Sequence, residues 1–284
     1  MKFSEFLWEE FIYGGHWLSI GASSIVLSIM IIYDMSVHWE FLFIVYLLLQ
    51  CIYSYNHYKE FEEDLHSNSP RVKHLSKYRY RIPYIIGIYG VIFLGLLIYS
   101  GNKESIFFGG FLLLAGLFFT TDGKKITKKI IGFKTIYVAI SWALLVPFTA
   151  IYCSYVLSMH LLLLFIFVFL RFIVSTTFFD IKDMKSDKKQ GFLTLPLVIK
   201  NNKHWLFYLH MLNAISFLPI ILGILLQIFP IYLIFLLVLF VYSLYYIQKA
   251  KKKDIDMLSL SYIIVDGEFY YWPFLLILGL IFIS

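Results

Sequence analysis

The chain has 284 residues, of which 60% are apolar, 20% aromatic and only 15% charged. That is too little charge to cover a soluble domain of this size, so lipid must cover much of the surface. The net charge of +6 does not indicate a nucleic-acid partner, because the basic residues flank apolar runs instead of forming a separate soluble face.

Residues Met1 to Trp17 are mixed and acidic, with Glu5, Glu9 and Glu10, and carry no pattern of a cleavable signal. Apolar runs long enough to cross a hydrocarbon core of about 30 Å follow near 17–33, 39–58, 80–100, 105–121, 134–152, 157–178, 204–226, 229–247 and 268–284. The predicted fold class is therefore all-α, a polytopic membrane helical bundle of about nine transmembrane helices in one domain, with the last run short. Cys51 and Cys153 fall in or near spans without the spacing of a disulfide framework or a zinc site.

Orientation follows from the cations. All but two of the 24 Lys and Arg residues lie at the N-terminus or in the loops after spans two, four, six and eight, the exceptions being Lys103 and Arg171. Because Lys and Arg accumulate in cytoplasmic loops, the N-terminus and those four loops are expected to be cytoplasmic and the protein an integral, multi-pass one in contact with membrane lipid.

Two of these loops begin in acidic motifs. At the end of span two, Asn56, Glu60 and Asp64 are spaced i, i+4, i+8; at the end of span six, Asp180, Asp183 and Asp187 are spaced i, i+3, i+7. On a continuous helix each set shares one face. Stripes of carboxylates repel one another and give a helix nothing in isolation. A divalent cation removes the penalty, and Mg²⁺ favours a few carboxylates together with water and substrate phosphate oxygens. Charged residues at the end of a membrane helix are often only solvated caps, yet here two motifs of similar spacing lie at the same face. Each is embedded in cations: Lys59, Arg71 and Lys73 near the first, Lys182, Lys185, Lys188 and Lys189 near the second. Carboxylates for metal beside cations for phosphate are the equipment for binding a diphosphate.

These residues resemble the UbiA superfamily of intramembrane prenyltransferases. Its first motif, NDxxDxxxD, is matched at Asn56, Glu60 and Asp64 if Glu replaces Asp, and His57 stands where the family has Asp. Its second, DxxDxxxD followed by G and T-x-P, is matched by Asp180, Asp183 and Asp187 ahead of Gly191, Thr194 and Pro196. The loop Lys128-Lys129-Ile130-Ile131-Gly132-Phe133-Lys134 also looks like the family's corresponding loop. The resemblance covers essentially the whole of 1–284, with the first motif at 56–64 and the second at 180–187.

The resemblance implies that two Mg²⁺ ions are held by Asn56, Glu60 and Asp64 and by Asp180, Asp183 and Asp187. It makes Asp64, Asp180 and Asp183 the central catalytic carboxylates and His57, Arg71, Lys128, Lys129, Lys182 and Lys188 the diphosphate contacts. Imidazole is a poor ligand for hard Mg²⁺. His57 therefore either binds diphosphate as a cation or turns to the helix flank. The reaction implied is ionisation of a polyprenyl diphosphate and transfer of the isoprenoid to a small hydrophobic or aromatic acceptor. A terpene cyclase of the same superfamily, which needs no acceptor, is the alternative. A transporter would place acidic groups near mid-span, where none is found. Arg171, inside span six, is expected to have a carboxylate or substrate partner or to snorkel. Asp266 and Glu268 read as a solvated loop, with a polar acceptor as their other reading.

Overall fold

The computed structural model describes residues 3–64, 69–156, 158–199, 202–251 and 254–283, apart from the side chains of residues 63, 64, 69 and 202–204. The architecture is a bundle of helices, and the described residues contain no strand. A short helix α1 (Phe3–Tyr13) leads into α2 (His16–Ile32) at a 54° bend. The bend sits at Gly15, whose φ of +84° is in the left-handed region that side chains avoid. There follow α3 (Trp39–Lys59), α4 (Arg79–Ser100), α5 (Lys103–Thr127), α6 (Phe133–Tyr152), α7 (Met159–Gln190), α8 (Trp205–Leu225), α9 (Ile231–Lys249) and α10 (Met257–Ile283).

Seven of these, α4 to α10, are each long and apolar enough to cross a membrane, and the bent α1–α2 pair makes an eighth. Helix α3 has 21 residues but carries Gln50, Ser54, Asn56 and His57 on a buried or half-buried face. The sequence thus predicted the number of membrane-crossing rods closely. It placed the start of the last one too late, because α10 begins at Met257.

Helix α2 packs between α3 and α10, α3 against α4, α6 against α7, and α7 against α8. This leaves α4 and α5 on the outside, where Tyr84, Ile88, Val91, Ile98, Phe107, Phe111 and Leu114 are exposed for lipid to cover. A continuous apolar core runs through the centre, with Phe41, Phe93, Phe148, Phe167 and Trp272 fully buried.

Helix α7 has 32 residues, a length of about 48 Å at 1.5 Å per residue, against a hydrocarbon core of about 30 Å. Its last turns, which carry Asp180, Asp183 and Asp187, therefore reach past the apolar layer. It stops at Gly191 (φ +74°), where the Phe192 and Gly191 N–H groups donate back to the Asp187 and Lys188 carbonyls, the Schellman-type ending that a glycine permits.

Halfway along α7, Arg171 is 1% exposed and bonded on every side. Its guanidinium donates to both carboxylate oxygens of Glu268 at 2.6 Å, to Asn213 at 2.6 Å, to Ser216 at 3.0 Å and to Ser243 at 2.6 Å. One buried ion pair thereby joins α7, α8, α9 and α10. Glu268 is 3% and Asp266 4% exposed, so the expectation of a solvated loop fails for both. The α10 helix begins eleven residues earlier than the apolar run, which carries the acids into the protein.

Candidate active site

The ends of α3, α5 and α7 and the beginnings of α2, α6 and α10 meet at one end of the bundle around a cavity of about 340 Å³. Its deeper wall is apolar, with Leu48, Leu49, Leu112 and Leu145. Its middle is aromatic, with Tyr53, Trp142, Phe172 and Phe179. Trp142 stacks on Phe172 at 4.3 Å between centroids and Phe172 on Phe269 at 4.6 Å, which holds these rings in place. The mouth is polar, lined by Asn56, His57, Glu60, Arg71, Lys124, Lys134, Asp180, Lys182, Asp183 and Asp187.

The second acidic motif is formed as its spacing predicts. Helix α7 is unbroken through Gln190, so Asp180, Asp183 and Asp187 all face the cavity. Thr135 donates to Asp180 Oδ2 at 2.7 Å, and Lys182 pairs with Asp183 at 2.7 Å. Lys134 Nζ lies 3.0 Å from Asp180 Oδ1 and 3.5 Å from Asp187 Oδ2. Both oxygens are buried, and the Lys134 ammonium is the charge that faces them. Buried carboxylates need compensating positive charge, and hard oxygen ligands of this kind suit Mg²⁺.

The first motif departs from the expected single stripe. Helix α3 ends at Lys59, Glu60 occupies its C-cap, and Phe61–Asp64 is a separate turn. Asn56 accepts a hydrogen bond from Thr120 at 3.2 Å, and Glu60 pairs with Lys124 at 2.7 Å. The side chain of Asp64 lies outside the described residues. Among the described residues no three His, Cys, Asp or Glu side chains gather in a metal-binding group. The carboxylates are instead held apart by lysines, and the donors fit a divalent cation by their chemistry, with Lys134 and Lys124 supplying positive charge in the arrangement observed.

His57 is 6% exposed, and its Nε2 accepts from Arg71 Nη1 at 3.1 Å. An imidazole nitrogen that accepts carries a lone pair, so this ring is neutral. The reading of His57 as a phosphate-binding cation is corrected: it aims Arg71, which also donates to the Tyr262 hydroxyl at 3.3 Å.

Of the other expected phosphate contacts, Arg71 and Lys182 line the cavity, whereas Lys128, Lys129 and Lys188 are exposed and absent from its wall. Lys188 is one residue past Asp187, about 100° around α7 from the acidic face. Lys128 and Lys129 lie in the turn after α5, with the Lys128 ammonium over the Phe192 ring at 5.8 Å. Lys124 and Lys134 were not selected from the sequence. Lys134 could have been, because it ends the Gly132-Phe133-Lys134 run. Gly132 (φ +70°) donates to the Leu193 carbonyl, and Leu193 donates back to Thr127. The loops after α5 and α7 are thus tied together with Lys134 between them.

Two wide, π-type turns, Phe119–Gly123 in α5 and Leu260–Val265 in α10, supply Phe119, Thr120 and Tyr262 to the cavity wall. Such turns redirect side chains and recur at functional sites.

The model of the UbiA prenyltransferase family matches residues 17–271. The chain is a member of that family. The match takes in both acidic motifs, every helix but α1, the first residue of α2 and the end of α10, and all cavity residues named above. Solved UbiA structures share the fold. A UbiA homologue from Aeropyrum pernix K1 in its apo form superposes with a TM-score of 0.71 at 13% identity, over 93% of this chain and 96% of that one. A UbiA homologue from Archaeoglobus fulgidus bound to GPP and Mg²⁺ gives 0.66 at 12% identity, over 94% and 99%. A structure described for digeranylgeranylglyceryl phosphate synthase gives 0.61 at 18% identity, over 97% and 98%. No curated protein matches the chain. Against the motif given above, Glu60 and His57 stand in place of Asp, and His57 is engaged by Arg71.

Proposed function

We propose that this protein is a Mg²⁺-dependent intramembrane prenyltransferase that ionises a polyprenyl diphosphate and transfers the isoprenoid to a small, aromatic or otherwise hydrophobic acceptor. The observation that carries this reading is the meeting of three carboxylates on one helix face, Asp180, Asp183 and Asp187, with four cavity-lining cations, Arg71, Lys124, Lys134 and Lys182, at the mouth of an apolar cavity. The A. fulgidus homologues bound to GPP or DMAPP with Mg²⁺ support the same substrate class.

Asn56, Glu60 and Asp64 would hold one Mg²⁺ and Asp180, Asp183 and Asp187 the other, and bound Mg²⁺ neutralises charge on diphosphate. The chain's own groups do the rest. Arg71, held by His57, and Lys182 and Lys134 bind the diphosphate oxygens and stabilise the negative charge that grows as the allylic C–O bond breaks. Tyr53, Trp142, Phe172 and Phe179 line the space where the allylic cation forms, keep water from it and present ring faces to it. The prenyl tail occupies the Leu48, Leu49, Leu112 and Leu145 wall. The concentration of Lys and Arg at this end of the bundle supports placing the site on the cytoplasmic side.

The test is incubation of the purified protein with geranyl, farnesyl and geranylgeranyl diphosphates, with Mg²⁺ or with chelator, first without acceptor and then with phenols. Diphosphate release that requires both Mg²⁺ and an acceptor is the expected result. Release with a cyclised hydrocarbon and no acceptor would assign a cyclase instead, and no Mg²⁺-dependent binding or turnover of any of the three would overturn the reading.

A further inference from the structure

Arg71, proposed above as a diphosphate contact, stands on the short helix Ser69–Leu75, whose 7 residues are too few to hold helical form alone in water. One side of this helix is apolar, with Val72 and Leu75 buried in a cluster with Phe61 and Ile82. Another carries His74, one turn after Arg71 and 1% exposed. Its Nδ1 lies 2.9 Å from Glu9 Oε2 and its Nε2 2.6 Å from Glu10 Oε2, both acids on α1. The same two oxygens accept from the Lys77 ammonium at 2.8 Å and from the Tyr78 hydroxyl at 2.6 Å. Both ring nitrogens of His74 therefore face acceptors, and in this arrangement the imidazole donates from both as a cation. Phe6 and Tyr13 of α1 flank the ring at 5.2 Å and 6.4 Å between centroids. Glu9, Glu10 and His74 are thus satisfied by one another and by Lys77 and Tyr78, and they form no metal-binding group among the described residues.

Glu10 also reaches the other side of the site. Its Oε1 lies 3.5 Å from His16 Nε2, and His16 Nδ1 is 2.6 Å from the Tyr46 hydroxyl and 2.9 Å from the Gln50 amide, both on α3. Gln50 is seven residues before His57, about two turns along the same helix. One acid of α1 is therefore joined to the helix that carries Arg71 and to the helix that carries His57, the two partners of the 3.1 Å contact at the cavity mouth. Helix α1 gives the cavity wall Ile12 and Tyr13 and, among the described residues, no charged group. A guanidinium that must meet phosphate oxygens in a fixed geometry loses affinity when the backbone beneath it wanders. Resting on the reading of Arg71 as a diphosphate contact, we infer that His74 and Glu10 are positioning residues: they clamp the Arg71 helix to α1 and fix where the guanidinium stands over the diphosphate. Helix α1 thereby sets substrate affinity without a charged contact of its own.

The experiment measures binding of tritiated geranyl, farnesyl and geranylgeranyl diphosphates, and of inorganic pyrophosphate, to the full-length protein in detergent with Mg²⁺. His74→Gln, Glu10→Gln and Arg71→Gln are made singly, and the first two again in the Arg71→Gln background. Arg71→Gln is expected to weaken binding by about 10–100-fold, the range for losing a charge-assisted hydrogen bond. His74→Gln and Glu10→Gln are each expected to weaken it by about tenfold, pyrophosphate included, and by less than about twofold once Arg71 is gone, because residues that act through one group are not additive. A brace with no role in positioning would lower the thermal midpoint and leave the affinity of the folded protein at the parent value, or would weaken binding by the same factor with and without Arg71. Either result overturns the clamp. Glu10→Gln keeps the size of the side chain, so it carries the test if His74→Gln does not fold. Binding by Arg71→Gln at the parent affinity overturns Arg71 as a diphosphate contact and the clamp with it. Failure of the parent protein to bind any prenyl diphosphate overturns the functional reading itself.

Discussion

His57 departs from the family pattern in the sequence, and its surroundings explain what the change does. An aspartate at this position would be one more metal ligand, whereas the buried imidazole accepts from Arg71 and turns that guanidinium toward the mouth of the cavity. Replacing it with the family residue should therefore weaken substrate binding: in His57→Asp, a carboxylate pairs with Arg71 and neutralises it, raising the KM for prenyl diphosphate by about tenfold. Steady-state kinetics across a Mg²⁺ series would check this, and an unchanged KM with tighter Mg²⁺ activation would place residue 57 on the metal instead. Asp183→Asn and Asp180→Asn should each reduce Mg²⁺-dependent diphosphate release by about 10²-fold or more while elution on size exclusion stays that of the folded protein. Full activity in either variant would remove that residue from the proposed metal site. At this scale the sequence was informative where a residue's neighbours along the helix decide its role, as for Asp180, Asp183 and Asp187. It was uninformative for Asp266, whose burial is set by contacts with distant helices and by a wide turn that no local pattern announces.

The same contrast holds for elements. The acidic stripe of α7 was legible because one uninterrupted helix preserves the i, i+3, i+7 register through Gln190. The stripe of α3 was not, because the helix gives way at Glu60 and the following turn resets the direction of the chain. In the loop between α5 and α6, the sequence pointed to Lys128 and Lys129, but the left-handed Gly132 brings Lys134 to the acids. Gly132→Ala should cost about 1–2 kcal/mol from the left-handed backbone alone, since an added Cβ would make only ordinary contacts with Leu195, at 3.4 Å and beyond. Thermal unfolding in detergent should fall accordingly, and prenyl diphosphate affinity with it as Lys134 loses its anchor. Equal stability and affinity in the alanine variant would show that the loop's conformation does not depend on this glycine.

For the whole molecule, positive charge and apolar run length were enough to lay out the bundle, because a bilayer admits few architectures and each span must satisfy its own backbone. What they left open was which helices close the ring, a matter of polar contacts deep inside. The Arg171–Glu268 pair is the strongest of these. Arg171→Met should destabilise the protein by about 3–5 kcal/mol because it leaves Glu268 charged and buried. Adding Glu268→Leu should return much of that loss, with both effects read from unfolding in detergent. A double variant no more stable than the single one would mean that the pair itself, and not the stranded charge, carries the stability. The separation of the partners also sets a schedule for biogenesis. Glu268 is 97 residues downstream of Arg171, which at a synthesis rate of roughly 5–20 residues per second is a delay of about 5–20 s. Through that interval α7 has entered the membrane with a guanidinium that lipid cannot solvate. Its waiting partners are Asn213, Ser216 and Ser243, which arrive in turn on α8 and α9, so the chain is supplied with provisional hydrogen bonds in the order in which it is made.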